Sequence, residues 1–192
     1  MAIKIYIDQG HNPRNPNAGA EGNGLREQDV TYETGRLLAG LLDRDPCFET
    51  RLSRKSPDEI LGTSNAESLR IRVEEANAWG ADWFVSLHTN ASTVEGATGS
   101  EAFVYSTSSP AFGLAQEMLA QLTRATGLRD RGVSARPGLY ILRRTQMPAV
   151  LVEMGFITNP ADAALMENAP ELFARGLYNG IAKYLRQACG GN

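Results

Sequence analysis

With 192 residues, 42% hydrophobic and 21% charged, the chain has the size and composition of one globular domain with a sizeable buried core. Its formal net charge of −3 argues against non-specific nucleic-acid binding, which needs a basic footprint. No apolar stretch approaches the roughly 20 residues that span a bilayer.

Residues 3–8, IKIYID, form a β-branched and aromatic run closed by Gly10, the pattern of a first strand. No basic-then-apolar leader precedes it. The expectation is therefore a cytosolic protein, a mature or truncated piece of an exported one, or a chain released by another route. Residues 12–26 are rich in Asn, Gly and Pro, and a polar loop of that length in a compact domain usually serves function. From Glu27 the apolar positions Val30, Leu37, Leu38, Leu41 and Leu42 recur at helical spacing.

A second strand is predicted over 47–53. Ser64 and Glu67 have the spacing of a capping box ahead of an apolar stripe (Leu69, Val73, Ala76) that Gly80 ends. Strands follow at 82–88 and 100–106, then a helix from Pro110 to Gly127. LYILR (139–143) and PAVLVE (148–153) read as the last two strands. The second is continuously apolar, as a central strand covered on both faces would be. A C-terminal helix carries Leu172, Phe173, Leu177, Ile181 and Leu185, and residues 190–192 read as a flexible tail. Alternating strands and helices predict an α/β fold with helices on both faces of a mostly parallel sheet. Cys47 and Cys189 are too few for a disulfide framework and lack C-x-x-C spacing, so two free thiols are expected rather than a bridge.

The chain holds only two histidines, and both fall where a strand ends: His11 just beyond the first strand, His88 closing DWFVSLH. Glu153 closes PAVLVE, and Glu27 opens the first helix. Ligand crevices of open α/β sheets lie beyond the carboxyl ends of the strands, so these groups are expected to meet there. Two imidazoles and a carboxylate are a zinc set that leaves a position for water. A second carboxylate near that water can serve as acid and base. Spacing alone leaves open which of Glu27 and Glu153 takes which part.

These residues sit in segments (IDQGHNP, GLREQDVTYETGRLL, LRIRVEEANAWGADWFVSLHTNAS and LYILRRTQMPAVLVEMGFITNP) that resemble the zinc-dependent N-acetylmuramoyl-L-alanine amidases of the Amidase_3 type, in the same order. The resemblance implies an αβα three-layer sandwich around a mixed, mostly parallel sheet. It also implies one zinc ion held by His11, Glu27 and His88, with Glu153 as the catalytic carboxylate. The implied substrate is peptidoglycan, cut at the amide between N-acetylmuramic acid and L-alanine. The expected form is a monomeric catalytic domain over 1–192, without nucleic-acid partner or membrane span, acting on the bacterial wall as an autolysin or endolysin. A zinc peptidase acting within the stem peptide, or a non-catalytic wall-binding module, are the alternatives.

Around this centre, Asp8 matches an acidic residue of the family and is expected to orient a metal-bound imidazole. Asn90 is expected to shape its loop or touch substrate. Among the arginines of RDRGVSARPGLYILRR, Arg136 is singled out as a partner for a stem-peptide carboxylate. Arg72 also matches the family, with a structural role expected. Where many members continue from the first histidine into glycines, this chain has Asn12 and Pro13.

Overall fold

The computed structural model describes residues 1–189, so the predicted tail at 190–192 lies outside the described residues. In chain order the elements are β1 (Ile3–Gln9), β2 (Glu21–Gly22), β3 (Leu25–Arg26), α1 (Glu27–Leu42), β4 (Phe48–Leu52), α2 (Asn65–Trp79), β5 (Trp83–Asn90), β6 (Ser100–Val104), α3 (Pro110–Thr126), β7 (Asp130–Ala135), α4 (Tyr140–Arg144), β8 (Ala149–Phe156), α5 (Pro160–Asn168) and α6 (Pro170–Cys189). The main sheet has the order β4-β1-β5-β8-β6-β7. Strands β4, β1, β5 and β8 run parallel, β6 runs antiparallel to β8, and β7 follows β6. This is the mixed, mostly parallel sheet of the expected αβα sandwich.

Strand alternation sends neighbouring residues to opposite faces. Ile5, Ile7, Val85, Leu87, Val150 and Val152 pack against α1, α3 and α6. Tyr6, Phe84, Phe103 and Leu151 pack on the other face against Val73 and Ala76 of α2 and Ile141 and Leu142 of α4. On that second face the strands change character along their length. Tyr6 gives way to Asp8, Phe84 to Ser86 and His88, and Leu151 to Glu153. Because β6 runs the other way, its polar end comes first, at Glu101, opposite Glu153.

Local signals explain several boundaries. Ser64 caps α2 by accepting from the Glu67 N–H at 3.1 Å, although the Glu67 carboxylate reaches back to Thr63 rather than to Ser64 itself. Gly80 and Gly127 end α2 and α3 at φ 65° and 72°, the left-handed cap that glycine adopts most readily. Asn23 and Gly24, both at positive φ, make the tight turn between β2 and β3.

Three expectations are corrected. LYILR is not a strand: it supplies the short helix α4, because adjacent Ile141 and Leu142 are both buried on one face, which a strand would split. The sixth strand is instead β7, whose mostly exposed edge position leaves no apolar alternation to read. The two cysteines are bridged, Cys47 to Cys189, with Cα atoms 5.7 Å apart and a sequence separation of 142. A separation that long leaves no local trace in sequence.

The bridge fastens the end of α6 to the segment entering β4, beside the buried Asp45, which accepts from Arg186 (2.7 Å) and Tyr178 (3.1 Å). Because it closes so long a loop, reduction should lower stability by about 2–4 kcal/mol. Urea unfolding with and without a phosphine reductant measures this, and a Cys47→Ser protein should match the reduced wild type.

Candidate metal centre

The carboxyl ends of β1 and β5 and the first turn of α1 meet at one point on the sheet's rim. The Glu27 carboxylate lies between two imidazoles, Oε2 at 3.1 Å from His11 Nε2 and Oε1 at 3.0 Å from His88 Nδ1. Its oxygens also accept from the backbone N–H groups of Ala20 and Thr89, both at 2.9 Å. Burial would push this carboxyl up, but the bonds and charges of the two histidines hold it well below the usual carboxylate range. Glu27 opposes the same burial at His88, together with Glu153 and Asp8, and the imidazole is raised above its ordinary value.

One ligand atom from each of His11, Glu27 and His88 falls within 4.8 Å of the others. His11 Nδ1 is a buried nitrogen without a hydrogen-bond partner. Two imidazoles and a carboxylate, converging at a strand-end crevice, fit a zinc ion in the number and type of donors. Two close approaches shape the cradle. A Cβ on Gly10 would stand 2.6 Å from the His88 ring, and one on Gly19 would stand 2.8 Å from Glu27 Oε2 and 2.9 Å from His11 Cδ2. Both places therefore need glycine.

His11 itself has φ 68°, a conformation that costs a non-glycine residue energy and persists only where its surroundings impose it. Arg72 imposes it. This arginine, 1% exposed, donates to the carbonyls of Gln9 (2.7 Å) and His11 (2.6 Å) while pairing with Asp8 at 2.6 Å. Asp8 also accepts from Ser86 at 2.7 Å. Instead of orienting an imidazole by a hydrogen bond, Asp8 anchors the arginine that holds the backbone of His11. Asn12, wholly buried, continues the clamp. It donates to the Pro16 and Leu61 carbonyls and accepts from the Leu61 N–H, tying the 12–26 loop to the chain after β4. The place of Asn12 after the histidine is thus architectural.

Glu153 sits one strand over from His88 and in register with it. Its Oε2 is buried without a partner, and burial is the main reason its carboxyl is pushed up to about 7. The charges of Glu27 and Glu101 add to the rise, and that of His88 opposes it. Asn90 donates to Glu101 at 2.6 Å and accepts from the Ala91 N–H, so its amide shapes the strand end. Arg136 is not brought to this place. It follows β7, whose direction is that of β6, so it lies at the sheet's opposite end, with its guanidinium over the Phe103 ring. The antiparallel pair, which the alternating pattern of strands and helices does not reveal, inverts that placement. The arginine of the same segment that does face the site is Arg131, 3.8 Å from Glu101.

The chain matches the family described as N-acetylmuramoyl-L-alanine amidase, Amidase_3, over residues 5–183. It is 35% identical over 185 residues to N-acetylmuramoyl-L-alanine amidase CwlM of Bacillus licheniformis, covering 94% of this chain and 68% of that protein. It is 33% identical over 187 residues to the sporulation-specific N-acetylmuramoyl-L-alanine amidase of Bacillus subtilis strain 168, covering 97% and 68%. Among solved structures, the catalytic domain of the amidase CwlV from Bacillus (Paenibacillus) polymyxa var. colistinus is similar with a TM-score of 0.84 at 30% identity, over 96% of this chain and 98% of that one.

The clamp can be tested through stability. Arg72 outweighs the burial of Asp8 and holds its carboxyl below the usual range, so this share of stability is present above about pH 4 and lost as pH falls through the lowered value. Arg72→Met leaves Asp8 a buried, unpaired charge and should cost about 3–5 kcal/mol near neutral pH. The difference from wild type in urea melts should shrink as pH falls through that lowered value and Asp8 takes up a proton.

Proposed function

The chain belongs to the Amidase_3 family of N-acetylmuramoyl-L-alanine amidases, and we propose that it hydrolyses the amide between the lactyl carboxyl of N-acetylmuramic acid and L-alanine, with one zinc ion held by His11, Glu27 and His88. Membership makes it a peptidoglycan amidase. The observation that carries the finer reading is the convergence of this donor set beside a buried, unpartnered carboxyl oxygen of Glu153.

Zinc bound there would supply a Lewis acid and lower the pKa of a bound water to about 7. The rest falls to the chain's own residues. Glu27, locked by two backbone N–H groups, fixes where the imidazoles meet. The Arg72 clamp holds His11 at the mouth of the crevice. Glu153, with an unpartnered buried oxygen and a carboxyl that burial pushes up, takes a proton from the attacking water at Oε2 and returns it to the departing amine of L-alanine.

Glu153→Gln should retain zinc at wild-type stoichiometry and lower kcat by about 10²–10⁴-fold, the range for losing one acid/base group. Near-wild-type turnover would remove Glu153 from the mechanism. The bond is tested by labelling new amino termini after digestion of purified wall. L-alanine should appear, whereas a D-amino acid terminus would mean a peptidase acting within the stem. Wall pelleting without release of any amine, with zinc supplied, would mean a binding module.

A further inference from the structure

The polar face of the rim continues past Glu153 to the far edge of the sheet. His88 on β5 faces Glu153 on β8, and Glu153 faces Glu101 on β6. Two register shifts extend the row. From His88 to Asn90 on β5 is a step of two residues, while β8 steps three, from Glu153 to Phe156. Between β6 and β7, the two-residue step from Ser100 to Ala102 faces a three-residue step from Asp130 to Val133, with Gly132 at φ 91°. Extra residues of this kind re-aim side chains, and they are enriched beside active sites. Here they bring Phe156 and Arg131 together: the Arg131 guanidinium lies 5.0 Å from the centre of the Phe156 ring.

The guanidinium is held but not used up. Stacking on Phe156 and one bond to the Thr98 carbonyl at 3.3 Å orient it. Its nearest carboxylate contact, Nε to Glu101 Oε1, is 3.8 Å, an ion-pair distance too long for a hydrogen bond. Glu101 gives that oxygen to Asn90 at 2.6 Å. A third of the Arg131 side chain is exposed, and its planar fork of donors suits a carboxylate in two-point contact.

We propose that Arg131 is a specificity residue that binds a substrate carboxylate on the peptide side of the scissile amide. This rests on the reading of the site as a muramyl-peptide amidase. Two strand spacings of about 4.8 Å separate the backbone of β7 from that of β8, so Arg131 stands on the order of 10 Å from Glu153. An extended peptide advances about 3.3 Å per residue, which places the recognised carboxylate one to three residues beyond L-alanine. The nearest such group in a stem peptide is the α-carboxylate of the second residue, a glutamyl unit linked through its side chain. That group occurs either free or as a carboxamide, and a guanidinium distinguishes the two by charge.

The test uses two soluble muramyl peptides that differ only in this group, carboxylate or carboxamide, with release of the L-alanine amine as the readout. Wild type should prefer the carboxylate by about tenfold in kcat/KM, the scale of one charge-assisted contact. Arg131→Ala should erase the preference through KM, with kcat and zinc content unchanged, and Arg131→Lys should keep part of it. No preference in wild type, or an equal loss on both substrates in Arg131→Ala, would overturn the proposal. The wild-type comparison and the lysine variant decide the matter should the alanine protein fail to fold. Failure of wild type to release an L-alanine amine from either substrate would instead sink the amidase reading on which this rests.

Discussion

One carboxylate ties the functional end of this protein together. Glu27 stands at the first turn of α1, yet its two oxygens reach an imidazole just beyond β1, another on β5, a backbone N–H in the 12–26 loop and one at the end of β5. A buried charge of this kind is tolerated only when fully partnered. The partners come from separate parts of the chain, so satisfying Glu27 requires the loop, the helix and both strands to be in register at once. The glycines that admit the rings, and the Arg72 clamp that keeps His11 in a left-handed conformation, are conditions for that meeting.

The sheet supplies the rest by alternation. One face is apolar at one end, where α2 and α4 cover it, and polar at the other, where the row of His88, Glu153 and Glu101 emerges. The same strands thus build a core and a crevice along one face. Reversal of β6 and β7 matters to this plan. It puts the start of β6 and not its end at the rim, which supplies Glu101 beside Glu153 and delivers Arg131 rather than Arg136. The carboxyl of Glu153 is kept near neutrality by this company and its burial, a setting suited to moving protons at ordinary pH.

Much of this was legible in sequence because the signals are local. Strand-ending residues announce themselves by position, so His88, Glu153 and the helix-opening Glu27 could be placed at one rim before any coordinates. The continuously apolar PAVLVE marked β8 as central. What escaped was non-local. Strand direction is invisible to alternation, so the sequence points to Arg136 rather than Arg131. An exposed edge strand has no apolar face, so β7 gives no pattern in sequence, while the short apolar run of α4 reads as a strand. The role of Asp8 turned on a partner 64 residues away, and the disulfide on one 142 residues away.

Zinc-edge anomalous diffraction from crystals grown with stoichiometric zinc shows where on the chain the metal is held. A single strong peak is expected, bonded to His11, Glu27 and His88 at about 2.0–2.2 Å, with the Glu153 carboxyl facing it. A peak elsewhere on the chain, or one held by Glu153 in place of Glu27, would contradict that assignment.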